Sequence, residues 1–265
     1  MHINNQINSF TYHGSKFSYL PWLLPLLPEC KHFIDVFGGS AVVLLNRKPS
    51  PIETYNDINS KVVNFFNVLR SQPEELIDAL NLTPYSKEEY AKAWYSEVDT
   101  PLEKARRFFI RTQQSIWAAG AQDQVKGWAA SINDTRVGKS EKVQKWLNAI
   151  DNLPEVVKRL KSVQIECRDF RFIMSKYDSE SSFFYLDSPY DMTFRSATRY
   201  EFDFINQDFF DLHYYAKNTK GSVAISGYSS PFMVELFKDF NFIPGPRRVN
   251  TRSEKEAFEC LWTNY

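Results

Sequence analysis

Apolar and polar positions alternate in two different regimes along this chain. Residues 31–36 make a short apolar run, and residues 40–45 continue at helical spacing after a Gly-Gly turn. Residues 51–55 form a second run that ends at Asn56-Asp57, and residues 59–70 again repeat at the helical period. Strand, turn, helix, strand, helix is the start of a parallel α/β sheet. The regime then changes. Residues 71–161 read mainly as helices and loops, with helices predicted over 86–97, 101–117, 142–150 and 154–161. Between them, residues 118–139 are rich in Gly, Ala, Asn, Gln and isolated basic residues. Strand patterning resumes at 163–166 and 183–186, then at 223–226. A helix over 231–240 and a last strand over 258–262 follow. The pattern predicts one α/β domain from residues 1–70 and 162–265, with residues 71–161 inserted as a helical block.

Composition narrows the picture only a little. A hydrophobic fraction of 43% and a charged fraction of 24% belong to an ordinary globular chain. Lys+Arg and Asp+Glu balance at 32 each, so total charge announces no polyanionic partner. Its distribution says more. Residues 71–100 carry two basic against seven acidic residues, whereas residues 101–161 carry twelve against six. Such a basic segment suits phosphates, or equally a solvated helical surface. Cys30, Cys167 and Cys260 are odd in number and lack ligand spacing, and the four histidines form no cluster, so neither a disulfide framework nor a metal site is expected. The N-terminus has no signal-peptide pattern, and the most apolar run, residues 19–27, is short and contains Pro21 and Pro25. A cytoplasmic protein without membrane or metal partner is expected.

Candidate chemistry begins at Asp35-Val36-Phe37-Gly38-Gly39-Ser40-Ala41, where the first strand turns into a helix. Glycines there let a ligand approach the backbone, and a helix N-terminus offers free N–H groups. A Gly-Gly turn is by itself equally a plain tight turn. Asp57, eighteen positions after Gly39 at the end of the second strand, tips the balance, because a carboxylate there meets ribose hydroxyls in nucleotide-binding α/β folds. The absence of Gly-x-Gly-x-x-Gly argues against a pyrophosphate. It favours a cofactor made of adenosine with a charged amino-acid tail, Asp35 taking the tail's ammonium and Lys16 its carboxylate.

Residues 183–186 read as a buried strand, and Asp187-Ser188-Pro189-Tyr190 stands at its carboxyl end, the edge where open α/β sheets bind ligands. The tetrapeptide resembles the Asp-Pro-Pro-Tyr of amino-methyltransferases, with Ser188 in place of the first proline; Asp-Ser-Pro is also a common turn initiator. The residue types suit the chemistry. An exocyclic amine whose lone pair is delocalised into its ring is a poor nucleophile. Asp187 and the Ser188 carbonyl would accept its two N–H bonds, and both acceptors strengthen as positive charge develops. Pro189 stiffens the loop, and Tyr190 offers a face to a base flipped out of its duplex, worth about 1–3 kcal/mol of stacking.

Taken together, these motifs make the chain similar to the Dam-like (alpha-group) DNA adenine N6-methyltransferases, especially a phage and mobile-element group. Tyr12-His13-Gly14-Ser15-Lys16 resembles the N-terminal motif that contacts the methionine part of S-adenosylmethionine. Residues 35–41 resemble Asp-x-Phe-x-Gly-x-Gly, with Ala41 for the last glycine, and Asn56-Asp57-Ile58-Asn59 matches the signature whose aspartate holds the ribose. Arg168-Asp169-Phe170 resembles the turn beside the cofactor adenine. Arg195, Arg199, Tyr200, Ser226-Gly227-Tyr228 and Glu259-Cys260-Leu261-Trp262 look like features of the phage-type group. The resemblance implies a Rossmann-like S-adenosylmethionine-dependent methyltransferase fold with a helical target-recognition insertion. It implies a catalytic loop of Asp187, Ser188, Pro189 and Tyr190. Its cofactor residues are Tyr12, Lys16, Asp35, Phe37, Gly38, Gly39, Asp57, Asp169 and Phe170.

The same resemblance implies double-stranded DNA as the partner and a bacterial or phage-infected cell as the setting, within restriction-modification. Lys126, Arg136 and Lys139 in the polar loop, Arg195 and Arg199, and Arg247 and Arg248 before the last strand are the expected DNA contacts. Arg106 and Arg107 read either as DNA contacts or as helix surface. Cytosine enzymes often carry Ser-Pro-Pro-Tyr, so Ser188 keeps an N4-cytosine or RNA acceptor open. The departures at Ser188 and Ala41 keep open a non-catalytic DNA-binding relative.

Overall fold

The computed structural model describes residues 6–12, 14–116, 125, 127–190, 202–246 and 258–265. Among them nine strands form: β1 (His32–Asp35), β2 (Ile52–Asn56), β3 (Thr135–Arg136), β4 (Lys139–Ser140), β5 (Val163–Glu166), β6 (Ser182–Leu186), β7 (Ser222–Tyr228), β8 (Asn241–Pro244) and β9 (Glu259–Thr263). Seven make one sheet in the order β5-β2-β1-β6-β7-β9-β8. β1 pairs in parallel with β2 and with β6, and β6 with β7. β9 runs antiparallel between β7 and β8. This is the mostly parallel α/β sheet that the sequence predicts. The chain winds outward from β1 through β2 to β5, then crosses to β6 on the other side of β1. The order therefore reverses between β1 and β6, the point where such sheets open a crevice at their carboxyl ends.

The described residues divide into two compact units. One holds the sheet and comprises residues 18–38, 47–58 and 164–265. β6 is buried along its whole length, as a central parallel strand should be. Ile34, Phe184, Leu186, Ile225 and Trp262 pack there with Phe209, Leu212 and Phe237 in a continuous apolar core. The helices Phe170–Lys176 and Asn206–Asn218 supply part of it, and neither was expected from the pattern. The helix expected over 231–240 stops at Leu236. Phe237 and Phe240 turn inward there to join the core, and the chain leaves as β8, a strand the sequence did not reveal.

The other unit comprises the described parts of residues 1–17, 39–46 and 59–163. It takes in residues 59–70 as well as the inserted block. The helix Ser60–Ser71 is capped by Asn59, whose side chain accepts from Lys61 N at 2.9 Å, and the helix Lys87–Tyr95 by Ser86 at Glu89 N, 3.1 Å. The helix Pro101–Gln114 starts with Thr100 as cap and proline in its first turn, and buries Ala105, Phe108, Phe109 and Thr112 at helical spacing. Phe10 meets Phe65, Phe66 and Phe108 within 5.7 Å to centre this core. An additional helix, Pro73–Asn81, lies in the acidic stretch. Within the segment read as loop, β3 and β4 pair as a hairpin whose tip, Val137-Gly138, has φ of 52° and 70°.

Candidate active site at the carboxyl edge of the sheet

Within the sheet unit, parallel pairing carries the ends of β1, β2, β6 and β7 to one edge, and antiparallel β9 brings its first residue there too. Asp35 closes β1 opposite Tyr185 in β6, and Val36 N donates to the Tyr185 carbonyl at 3.1 Å. Asp187 lies two residues beyond Tyr185 along the chain. Tyr228, at the end of β7, is paired with Glu259.

The β1–β2 side is fixed by hydrogen bonds to main-chain groups, most of them made by one side chain. Gly38 N donates to the Asn56 carbonyl at 2.8 Å. The Asn56 amide donates to the carbonyls of Val36 (2.8 Å) and Arg168 (3.0 Å), while its oxygen accepts from Arg168 N at 2.9 Å. One buried side chain thus ties three turns together. Asp57 follows it, 7% exposed, and Asp35 is 2% exposed. Gly38 has no room for a side chain, because a Cβ there would lie 2.1 Å from the buried Tyr55 ring. Phe37 is half-buried and packs on Phe170 at 5.6 Å. Phe170 is a core residue of the sheet unit, and Asp169 caps the helix after it at Arg171 N (2.8 Å) and pairs with the Arg171 guanidinium (3.0 Å).

The β6–β7–β9 side is fixed through side chains. Ser226 Oγ donates to Asp187 Oδ1 at 2.9 Å and also meets Tyr185 Oη at 3.1 Å. A serine has one proton, so Tyr185 donates to Ser226, which donates to Asp187. Tyr190 Oη lies 2.6 Å from Glu259 Oε1 and 3.3 Å from Asp187 Oδ1. Burial, then the Asp187 and Glu259 carboxylates, push the Tyr190 phenol well above the ordinary tyrosine range, so it stays a donor. Tyr185 is pushed the same way by burial and by Asp187, Glu259 and Asp35. The Tyr190 ring stands edge-on to Tyr228, centroids 4.7 Å apart. The Ser188 hydroxyl is buried without a hydrogen-bond partner among the described residues.

The sheet unit therefore gathers Asp35, Phe37, Gly38, Asp57, Asp169, Phe170 and the loop 187–190 at its carboxyl edge. Tyr12, Lys16 and Gly39 belong to the other unit. There Gly39 has φ 49° and faces the Tyr12 ring, 3.1 Å from where a Cβ would stand. Lys16 is buried, with Nζ 3.4 Å from the Gly14 carbonyl. Ala41 adopts φ 56°, a left-handed conformation natural to the glycine it resembles.

Arg136 and Lys139 are exposed on the β3–β4 hairpin, and neither has an ion-pair partner among the described residues. Arg106 and Arg107 are tied to Glu103 at 2.7 Å each, and Arg106 also to Glu89 at 3.2 Å. Lys126, Arg195, Arg199, Tyr200, Arg247 and Arg248 lie outside the described residues. Asn56, Tyr185, Ser226 and Glu259 join these networks without being among the expected site residues; Asn56, Ser226 and Glu259 lie inside motifs of the resemblance, and Tyr185 inside the expected strand 183–186. For Glu259 the signal was its place in Glu259-Cys260-Leu261-Trp262, an acidic residue in an otherwise apolar final strand.

No group of three His, Cys, Asp or Glu side chains is placed to hold a metal among the described residues, and no described helix is long and apolar enough to cross a membrane. Residues 12–251 match the model of the D12 class N6 adenine-specific DNA methyltransferases. The chain is 26% identical to type II methyltransferase M1.LlaDCHI of Lactococcus lactis subsp. cremoris, covering 98% of this chain and 97% of that protein. It is also 26% identical to type II methyltransferase M.MjaIII of Methanocaldococcus jannaschii, covering 89% of each.

Proposed function

This chain belongs to the family of D12 class N6 adenine-specific DNA methyltransferases, and from that premise we propose that it methylates adenine N6 at a specific site in double-stranded DNA. The observation that carries the reading is Asp187, a carboxylate held from behind by Ser226 at the carboxyl end of β6, beside the reversal point of the sheet.

S-adenosylmethionine is the proposed donor, and it would supply a methyl already activated on sulfonium sulfur, so positioning does most of the work. The residues fit it. Asp57 is a buried carboxylate at the end of β2, suited to ribose hydroxyls, and Asp35 one at the end of β1, suited to an ammonium. Gly38 leaves its backbone uncovered by any side chain of its own, half-buried Phe37 presents a ring backed by the buried Phe170, and the Asp169 turn follows β5. Tyr12, Lys16 and Gly39 complete the proposed cofactor set.

Asp187 and the Ser188 carbonyl accept the two N–H bonds of the target amine and strengthen as it becomes positive. Pro189 limits the loop, and the Tyr190 ring receives the flipped base. Arg136 and Lys139 present charge to the phosphates, with Lys126, Arg195, Arg199, Arg247 and Arg248 as further proposed contacts. The helical block 71–161 is the proposed target-recognition part.

The test is incubation with labelled S-adenosylmethionine and DNA from a methylation-deficient host, followed by mass analysis of nucleosides. N6-methyladenine is the expected product. N4-methylcytosine alone, or no product, overturns the reading.

A further inference from the structure

We propose that Glu259 is a positioning residue that draws the Tyr190 proton away from Asp187, so that more of the Asp187 charge faces the amine; this rests on the functional reading above. Tyr190 Oη has one proton and two carboxylate neighbours, Glu259 Oε1 at 2.6 Å and Asp187 Oδ1 at 3.3 Å. The shorter contact takes it, since a phenol-to-carboxylate bond is strongest at that length. Glu259 is only 3% exposed, and its place is fixed by pairing of β9 with β7. Burial, Asp187 and Glu259 together hold the phenol in its protonated form, so it remains a donor, and Glu259 is the nearer of these two carboxylates.

The choice matters for the reaction. Asp187 Oδ1 already accepts from Ser226. A second donation, from Tyr190, would use acceptor capacity and soften the negative charge just where the reacting amine turns positive. Glu259 takes that proton instead. A buried glutamate at the start of an apolar strand is costly unless it is bonded, and the Tyr190 hydroxyl offsets part of that cost. Glu259 is assigned no contact with base or cofactor. It acts through Tyr190.

The test compares single-turnover methyl transfer to unmethylated DNA by wild type, Glu259→Ala, Glu259→Gln, Tyr190→Phe and the double variant Tyr190→Phe/Glu259→Ala. Thermal melting and S-adenosylmethionine binding are measured alongside. Glu259→Ala should lose about ten- to a hundredfold in rate, because the Tyr190 hydroxyl turns to Asp187, with cofactor affinity unchanged. Glu259→Gln, whose amide oxygen still accepts, should recover most of that loss. The decisive sign is rescue. Tyr190→Phe keeps the ring and removes the proton, so the double variant should transfer methyl faster than Glu259→Ala and close to Tyr190→Phe alone. A structural role for Glu259 gives no such rescue. Glu259→Ala active at the wild-type rate, or a double variant no faster than Glu259→Ala, overturns the inference while the functional reading stands. A wild type that transfers no methyl overturns both.

Discussion

At the ends of β1 and β2 the chain holds its own backbone: Gly38 N donates to the Asn56 carbonyl, and the Asn56 side chain bonds the Val36 carbonyl and both the main-chain N–H and C=O of Arg168. At the ends of β6, β7 and β9 hydroxyls and carboxylates hold one another, from Tyr185 through Ser226 to Asp187, and from Tyr190 to Glu259. Amide bonds of the first kind do not change protonation over any ordinary pH. They suit a surface that must recognise a ligand of fixed shape. Networks of the second kind can reassign protons and depend on which group donates. They suit a place where charge develops during a reaction. One sheet edge thus carries a rigid half and a polarisable half, which meet where β1 pairs with β6.

The largest expected effect separates the two halves. Asp187→Ala should lower methyl transfer by about 10²–10³-fold, the cost of removing one preorganised acceptor, while S-adenosylmethionine binding measured by calorimetry stays at the wild-type level. Equal loss of binding and rate would mean the halves are not distinct.

A smaller effect comes from the rigid half. Gly38→Ala puts a methyl within 2.1 Å of the buried Tyr55 ring, and should destabilise the fold by about 1–3 kcal/mol in denaturant titration, together with weaker cofactor binding. A variant with unchanged stability would show that Tyr55 can yield and that this half is less rigid than its contacts suggest.

The smallest effect sharpens the reactive half. The Ser188 carbonyl, not its hydroxyl, is the proposed acceptor, and that hydroxyl is buried without a partner among the described residues. Ser188→Ala should therefore raise stability by about 1 kcal/mol, read as a shift in the denaturant midpoint, and leave the methylation rate within about twofold of the wild type. A large loss of rate would assign the hydroxyl a role in the reaction.

The helical unit shows where sequence reading is strong and where it gives out. Helices starting at residues 60, 87 and 101 were legible because Asn59, Ser86 and Thr100 cap them and apolar residues repeat at the right spacing. The β3–β4 hairpin was not, since its strands are two residues long and its exposed residues carry no apolar alternation. In the sheet unit β8 escaped for the same reason: Asn241–Pro244 is mostly exposed and becomes a strand only by pairing with β9. The helix Asn206–Asn218 begins with Ile205, a poor cap by residue type, and gains its place from burying Phe209, Leu212 and Ala216.

By itself the sequence determined the local chemistry: a Gly-Gly turn after a first strand, an aspartate closing the second, and Asp187-Ser188-Pro189-Tyr190 closing a buried one. Those features need only neighbours in the chain, so period and residue type express them. Tertiary structure alone decided what stands behind the loop. Ser226 and Glu259 lie 39 and 69 residues from their partners Asp187 and Tyr190, and only the pairing of β6, β7 and β9 brings them within hydrogen-bonding distance. Strand order and register are set by the burial of whole faces, which no short motif encodes.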